Sequence, residues 1–343
     1  KVNIFNQQLK SRQRSFAATR DNAASSDYLF DEVASRLADR IFDVKNIKMN
    51  KVLDFGSRNG ALLKQLNDVK PKRIVVDNME DRLPFENEQF DLILSNLSLH
   101  WINDLPGVFA HLRQLLKPNG VFLASLLGEE TLTELKDSLY LSDIERCGGF
   151  TPHISPFAKL SDVGNLLSKA RFTLPTVDTE KLVIRYSNMF VLMKDLQLMG
   201  ENNATYKSRV AAGKDSFLGA SAIYQGLYGN DDGTVPATFQ VIYLIGWAPH
   251  HSQPKPLPRG SAKKHLSEIG DSSINIKLDT MTSKTSTTTT TSTTKPTPSP
   301  QQQKTAESQL DPTILEPVPK TEDFIIKRLD KHGNLHEVAS KDT

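Results

Sequence analysis

Residues 51–60, KVLDFGSRNG, decide the fold because they join a short apolar run to an acid and then to a loop with two glycines. Val52 and Leu53 predict a buried strand, and the sequence ALLKQL from Ala61 onward predicts the first turns of a helix. The loop between them is therefore a strand-to-helix turn, which is where open α/β sheets bind nucleotide-like ligands. Glycine in such a turn lets the backbone approach a ligand, because no Cβ is in the way.

The same turn departs from the usual glycine pattern. Gly56 and Gly60 are the outer two glycines of a G-x-G-x-G motif, and Arg58 occupies the middle position. If Arg58 points outward, the ligand position stays open. If it points inward, it either pairs with an anionic group of the ligand or closes the pocket. The sequence alone does not choose between these orientations.

Composition limits the classes of protein that fit. A chain of 343 residues holds one large domain or two smaller ones. The 38% hydrophobic content supports a globular core, while the mean hydropathy of −0.39 indicates a sizeable solvated part. The net charge of +2 gives no argument for a nucleic-acid partner, and the single Cys147 excludes an internal disulfide. No window approaches the ~20 apolar residues of a membrane-spanning helix, which predicts a soluble or peripheral protein.

Beyond the turn, strand-like and helix-like segments alternate along the chain. This alternation predicts an α/β fold with a doubly wound, mostly parallel sheet. The predicted strands span residues 52–55, 73–77, 90–95, 121–126, 181–186 and 238–246. The predicted helices begin with an apolar stripe over residues 29–42 and continue at 104–116, 131–146, 160–170 and 188–199.

The two ends of the chain differ from its middle. Five basic residues precede the first acid, Asp21, which indicates either an organelle transit peptide or a surface amphipathic helix of the mature fold. The Thr/Ser/Pro-rich stretch at 285–300 cannot bury enough apolar area to offset chain entropy, so disorder is predicted there. We therefore predict an N-terminal helical segment at 1–45, a main domain with a helical cap at 46–250 and a largely disordered tail at 251–343.

Motifs in a fixed order resemble class I S-adenosylmethionine-dependent methyltransferases, which have a Rossmann-like sheet. They are the strand ending in Asp54 with its glycine turn, LPF at 83–85, FDLILSNLSLHW at 90–101 and LLKPNGVF at 115–122. Motifs further downstream are similar to a narrower family, the mitochondrial complex I assembly factor 5 family, a relative of the malonyl-carrier-protein methyltransferases of biotin synthesis. These are NDLPGVF at 103–109, GGFTPHISPF at 148–157, DLQLMGENN at 195–203 and DGTVPATFQVIYLIGW at 232–247. The resemblance covers roughly residues 2–260, so it assigns the basic start of the chain to the folded protein.

This resemblance implies a mitochondrial protein, peripheral on the matrix side of the inner membrane, that acts early in the assembly of complex I. Its implied partners are complex I subunits, and its implied chemistry is hydroxylation of an arginine in the iron–sulfur subunit near the quinone site. Two alternatives stay open. The fold favours S-adenosylmethionine-dependent methylation of a small or carrier-bound acid, whereas Arg58 and a shortened segment at 61–83 favour an assembly chaperone without chemistry.

The resemblance also implies where S-adenosyl-L-methionine binds. In this fold the methionine end of the cofactor lies over the glycine turn, close to backbone N–H groups. Asp54 is the candidate partner of its ammonium group, with a helix-capping role as the alternative. Gly56 and Gly60 permit close approach, and Ser57 offers a hydroxyl. Asn96 follows a strand at the same edge of the sheet and is a further candidate cofactor contact.

The segment at 61–83 is shorter than in the family. Only 22 residues separate Gly60 from Leu83, and the family has roughly twenty more, enough for a helix and a strand. Asp77 is the candidate ribose ligand at the end of the second strand, and Asp81 is the candidate adenine contact. Either the sheet has lost a strand, or the sequence lacks a segment that its relatives possess.

Two histidines are the candidates for catalysis. His100 follows a strand beside Trp101, where it is either a general base or a structural histidine packed on the indole ring, and His153 in TPHISPF has the same two interpretations. Oxygen chemistry at iron uses two histidines and a carboxylate. The eight histidines form no H-x-D/E pair, so no metal site is predicted, and the hydroxylase hypothesis depends on the resemblance alone.

Overall fold

A six-stranded sheet forms the centre of the molecule. In this computed structural model, its strands are β1 (Lys51–Phe55), β2 (Lys72–Val76), β3 (Phe90–Ser95), β4 (Leu116–Leu127), β5 (Thr173–Tyr186) and β6 (Val235–Trp247). Their order is β2-β1-β3-β4-β6-β5. The first four strands pair in parallel, and β6 runs antiparallel to both of its neighbours. The predicted mostly parallel α/β sheet is therefore confirmed.

Eight α-helices lie in the described residues. They are α1 (Gln7–Ala18), α2 (Tyr28–Asp43), α3 (Ala61–Gln65), α4 (Leu105–Leu115), α5 (Thr133–Cys147), α6 (Leu160–Lys169), α7 (Met189–Leu198) and α8 (Lys214–Tyr228). One apolar core joins the sheet to α2, α3, α5, α7 and α8, and a second joins it to α4 and α6. Helices on both faces leave the strands buried on both sides, which explains why strands such as β3 are apolar at almost every position.

The structure describes residues 3–20, 26–44, 49–56, 60–66, 72–76, 83, 85–149, 151–206, 213–255, 260, 326–329 and 335–338. Ser57, Arg58, Asp77 and Asp81 lie outside these ranges. The chain divides into two compact units, residues 1–253 with 315–343 and residues 254–314. The division into segments 1–45, 46–250 and 251–343 stays a prediction.

Helix α8 is the main element that the sequence analysis did not find. Its sequence, KDSFLGASAIYQGLY, is rich in glycine and other small residues, which carry little helical signal. These small residues allow close packing instead. A Cβ at Gly219 would lie 2.5 Å from Arg146 Nε and 2.7 Å from Ser142 Oγ on α5. The contact with α5 therefore stabilises a helix that propensity does not favour.

Two of the strands, β4 and β5, begin far earlier than predicted. β4 begins at Leu116, because Leu116 pairs with Phe90 before the register shifts. The KPNG sequence at 117–120 therefore lies inside the strand rather than between helix and strand, with Asn119 at a φ of 65°. β5 begins at Thr173, since its edge position next to β6 tolerates polar, half-exposed residues that a hydrophobic pattern does not reveal.

The segment at 61–83 contains the five-residue helix α3 and the strand β2. Among the strands that the structure describes, β2 is the edge of the sheet on this side. The described part of 61–83 contains no further helix or strand, and both interpretations of the short segment stay open.

The chain ends contain two further elements. Residues 7–18 form α1, which agrees with the interpretation of the basic start as a helix of the mature fold, and Asn6 caps it by accepting a bond from Leu9 N at 3.0 Å. In the predicted tail, β7 (Ile326–Leu329) and β8 (Leu335–Val338) form an antiparallel pair that the sequence analysis did not predict. The Thr/Ser/Pro-rich stretch at 285–300 lies outside the described residues. None of the helices in the described ranges has the length and apolar character needed to cross a bilayer.

Candidate functional site

The carboxyl ends of the parallel strands meet at one edge of the sheet. Gly56 follows β1, Asn96 follows β3 and Gly128 follows β4 at this edge. Open α/β sheets bind their ligands outside this edge, where loops from neighbouring strands diverge. The candidate cofactor residues that the structure describes all belong to this edge.

The glycine turn has the geometry that the sequence predicts. Gly56 has a φ of 75° and Gly60 a φ of 68°, which is the left-handed region that favours glycine. Among the described residues, no atom outside its chain neighbours lies within 4 Å of a Cβ built on Gly60. Asp54 is buried at the end of β1. Ser98 Oγ donates to Gly56 O at 2.5 Å and ties the turn to the loop after β3.

Asn96 uses its side chain within the protein. Its Nδ2 donates to Phe30 O at 3.0 Å, and its Oδ1 accepts from Ser125 Oγ at 2.9 Å. The amide therefore joins the start of α2 to β3 and β4. Its role as a cofactor contact stays a prediction, and its observed bonds position the loop in which Leu97 has a φ of 45°.

His100 belongs to a buried cluster that we call the Glu201 cluster, formed by Lys10, Arg14, His100, Trp101 and Glu201. Glu201 Oε2 lies 3.3 Å from His100 Nε2 and 3.3 Å from Lys10 Nζ, and it accepts from Trp101 Nε1 at 2.5 Å. Lys10 Nζ also donates to the main-chain oxygen of Gly200 at 2.7 Å and lies 3.2 Å from the centre of the Trp101 ring. The cluster fixes α1 against the loop that follows β3.

The charges of the Glu201 cluster follow from burial and neighbours. Burial lowers the pKa of His100 below its ordinary value, and the bond to Glu201 offsets this only in part. Burial raises the pKa of Glu201, but Lys10, the His100 bond and Arg14 together outweigh that effect and hold the pKa well below its usual range. At neutral pH, His100 is therefore neutral and Glu201 is ionised.

His153 belongs to a second histidine–carboxylate pair, with Asp143 of α5. His153 Nε2 lies 2.8 Å from Asp143 Oδ2, and the same oxygen accepts from Thr151 N at 3.2 Å. An ionised carboxylate only accepts, so in the neutral ring the hydrogen is on Nε2 and Nδ1 is an acceptor. The ring packs edge-on against Phe217 of α8 at 5.7 Å. Within the described part of the chain, Nδ1 makes no hydrogen bond.

His153 lines a cavity of about 440 Å³ between α1, α5, α7, α8 and the loop at 151–157. A smaller cavity of about 20 Å³, lined by Leu97, His100 and Leu127, lies at the carboxyl ends of β3 and β4. The two cavities share four lining residues: Leu132, Phe157, Leu196 and Glu201. The large cavity therefore adjoins the edge of the sheet at the carboxyl ends of β3 and β4.

Sequence reasoning missed Asp143, Glu201 and Gln13 as parts of this region. Glu201 stands in the quoted motif DLQLMGENN, but its partner Lys10 is remote in sequence. Asp143 lies only ten residues before His153, and an acid on the buried face of α5 was an available signal. In the parts of the chain that the structure covers, no three His, Cys, Asp or Glu side chains are grouped so as to hold a metal ion.

Comparisons with known proteins agree with this fold. The profile of a family described as "Methyltransferase domain" matches residues 23–174. The chain is 55% identical to "Arginine-hydroxylase NDUFAF5, mitochondrial" of Dictyostelium discoideum, over 98% of this chain and 87% of that protein. It is 41% identical to the Homo sapiens protein of the same name, over 78% of this chain and 84% of that protein. A malonyl-[acyl-carrier protein] O-methyltransferase of Xylella fastidiosa is 38% identical over 49% of this chain and 55% of its own length. The predicted methyltransferase-type fold is confirmed.

Proposed function

The chain belongs to the family of the mitochondrial arginine hydroxylase NDUFAF5, and from this membership we propose that it hydroxylates an arginine side chain of a complex I subunit as an early assembly factor. The observation that carries the proposal is the 55% identity over 98% of the chain, which includes the cap and its cavity as well as the sheet. The substrate that we propose is the iron–sulfur subunit near the quinone site.

The place of action follows from the same membership. The relatives at 55% and 41% identity are both named mitochondrial. We propose that this chain acts on the matrix side of the inner membrane as a peripheral protein, with complex I subunits as its partners. The net charge of +2 supports no nucleic-acid partner.

S-adenosyl-L-methionine is the proposed cofactor, and the described residues fit its methionine end. Asp54 is a buried carboxylate that suits an ammonium group, and Gly56 and Gly60 have the left-handed backbone of a glycine turn that lets a ligand approach. Ser57, Asp77, Asp81 and Asn96 remain the proposed contacts to the rest of the cofactor. When bound, this cofactor supplies an electrophilic methyl group on a sulfonium. Ser98 holds the turn through its bond to Gly56 O.

Methyl transfer is the second candidate function. The match to the methyltransferase profile and the 38% identity to a malonyl-carrier-protein methyltransferase favour it. In this reading, the large cavity receives a small or carrier-bound acid, and His153, which lines this cavity, is the group that takes a proton from it. His100 lines only the small cavity.

Mass spectrometry of the iron–sulfur subunit tests both functions. In wild-type cells, we expect one arginine of this subunit to carry an additional oxygen. That oxygen should be absent after gene disruption and present again when the gene is restored. A methyl group with the same dependence on the gene would favour methyl transfer. An oxygen adduct that persists on the arginine after disruption would contradict the hydroxylase proposal. If the subunit from assembled complex I carries neither the additional oxygen nor a methyl group, the protein is a chaperone without chemistry.

Calorimetric titration with S-adenosylmethionine tests the cofactor. We expect the wild-type chain to bind, and Asp54→Asn to weaken binding by about tenfold, because the ammonium group loses a charged partner. Arg58→Gly is the matched variant, because it restores glycine at the middle position of the G-x-G-x-G pattern. Binding only by Arg58→Gly would show that Arg58 closes the site, and no binding by either protein would remove this cofactor from the proposal.

A further inference from the structure

The small cavity at the carboxyl ends of β3 and β4 has the size of a single small molecule. Its volume is about 20 Å³, and roughly 10–15 Å³ is enough to hold one water molecule. Among the described residues that line it, only His100 and Glu201 have polar side chains, and the other nine are apolar. The cavity therefore suits one small molecule that needs few hydrogen bonds.

The two polar side chains of the small cavity are largely engaged by other groups. His100 Nε2 lies 3.3 Å from Glu201 Oε2, and His100 Nδ1 lies 3.5 Å from the main-chain nitrogen of Leu127. Glu201 Oε2 also accepts from Trp101 Nε1, while Glu201 Oε1 lies 3.8 Å from Arg14 Nη2. Only Oε1 accepts no hydrogen bond within the described part of the chain. A water molecule would find one side-chain partner at most, whereas buried water typically makes about three hydrogen bonds. The cavity therefore favours an apolar molecule over water.

Two leucines in the wall of the small cavity have a strained backbone. Leu97 has a φ of 45° and Leu132 a φ of 56°, in the left-handed region that residues with a Cβ rarely adopt. Both leucines are buried and line the cavity. Such strain persists only where the surrounding structure imposes it, and it clusters at ligand sites. The cavity is therefore built by constrained loops and is not a product of loose packing.

The small cavity also lies beside the large one. Leu132, Phe157 and Leu196 line both cavities, together with Glu201. The small cavity is therefore in a position to supply a small reactant to the large cavity.

We propose that the small cavity binds dioxygen, an inference that rests on the proposed function. Hydroxylation adds an oxygen atom that comes from dioxygen, from a peroxide or from water. Peroxide and water both carry polar groups, which are costly to bury without partners, and the cavity offers them at most one side-chain oxygen. Dioxygen is small and apolar and needs no such partner. It is held unchanged, since no bond forms or breaks in this cavity.

Dissolved dioxygen tests the site directly, because it is paramagnetic and accelerates the relaxation of nearby methyl protons. The full chain is labelled at its leucine methyl groups and measured by NMR under nitrogen and under oxygen. We expect oxygen to accelerate relaxation several-fold more at Leu97, Leu127 and Leu132 than at Leu112 and Leu115. The last two are fully buried in the core that joins the sheet to α4 and α6, and they line neither of the two cavities. Equal acceleration in both sets would overturn the proposal.

A larger side chain at position 127 fills the small cavity. Leu127→Phe should abolish the oxygen-dependent acceleration at Leu97 and Leu132. Leu126→Phe is the matched control and should keep it, because Leu126 is the preceding residue of β4, is equally buried and packs in the other core. Thermal unfolding checks that both variants are folded. A folded Leu127→Phe protein that keeps the acceleration would contradict the assignment.

Crystals of the wild-type chain under xenon pressure provide a measurement that needs no variant. Xenon enters dry apolar cavities, so we expect it in the small cavity. A cavity without xenon, or with an ordered water in its place, would overturn the proposal.

Isotope labelling in cells separates a failure of this inference from a failure of the proposed function. In cells supplied with labelled dioxygen, we expect the label on the subunit arginine. A label that comes from water instead would remove dioxygen and leave the hydroxylase standing. If the methyl groups around the cavity respond to dioxygen but the arginine never carries a gene-dependent oxygen, the cavity stands and the hydroxylase is wrong.

Discussion

Two histidines of this chain each pair with a carboxylate, but they face different surroundings. His100 and Glu201 are closed in, with side chains only 1% and 6% exposed, and Lys10 and Trp101 complete the set of bonds. His153 is 17% exposed, holds Asp143 with one nitrogen and turns its ring to the cavity. The same two chemical groups therefore form a closed, buried cluster in one place and line a cavity in the other. The two pairs differ in the additional charged and hydrogen-bonding groups that surround the carboxylate.

The largest effect should come from breaking the buried pair. Glu201→Gln removes the charge that Lys10 faces in a site without bulk water, so we expect the free energy of unfolding to fall by about 3 kcal/mol. Urea unfolding at pH 7 measures this change. A loss below about 1 kcal/mol would mean that the Glu201 cluster contributes little to stability, and the contrast between the two pairs would disappear.

A smaller effect should come from the cavity pair. Asp143→Asn replaces the carboxylate that lies 2.8 Å from His153 Nε2 and accepts from Thr151 N. We expect the free energy of unfolding to fall by about 1 kcal/mol, less than in Glu201→Gln, because the His153 side chain is 17% exposed and water screens the pair in part. Urea unfolding at pH 7 measures this change. A loss as large as that of Glu201→Gln would contradict the difference between the two pairs.

The pH dependence of the unfolding free energy reports on His100, the histidine of the buried pair. The folded-state pKa of His100 is lowered from its ordinary value of 6.5, mainly by burial, so the unfolded chain binds more protons as the pH falls below 6.5. Stability that is present above pH 6.5 is thus lost on acidification. Relative to His100→Gln, wild type should lose ~0.7 kcal/mol between pH 7 and pH 6. Parallel stability curves for the two proteins over this range would contradict the assignment.

The smallest effect should come from an exposed pair of the same chemistry. Glu129 Oε2 lies 3.5 Å from Lys159 Nζ, and the two side chains are 47% and 64% exposed. Glu129→Gln should change the unfolding free energy by less than about 0.5 kcal/mol, because water screens the pair. It is the matched control for Glu201→Gln in the same urea experiment. An equal loss in both proteins would show that amide substitution itself, and not burial, causes the change.

The sequence allowed most of the sheet to be predicted, because the apolar strands and the glycine turn carry local signals. The turn at Gly56 and Gly60, the strand β3 and the helix α5 follow from periodicity and backbone requirements. Helix α8 could not be found in this way, since its small residues gain stability from α5 rather than from their own propensity.

The candidate site was less accessible to sequence reasoning. His153 was named as a candidate, but the interpretation of its ring depends on Asp143, which only the folded loop at 151–157 brings to it. The role of Gln13 depends on the docking of α1 beside residues 201–203. Local patterns identify which side chains have useful chemistry, whereas long-range contacts decide which of their atoms remain available.

The bond from Lys10 to the main chain at Gly200 joins positions 190 residues apart. A ribosome that adds ~5–20 residues per second makes α1 about 10–40 s before its partner exists. During that interval, Lys10 has no Glu201 to pair with. Closing the loop between α1 and residue 200 has an entropic cost, which is offset only when the contacts of the cap have formed. Helix α1, which is made long before residues 200 and 201, should therefore be among the last of the described helices to dock, and it adds a wall to the cavity.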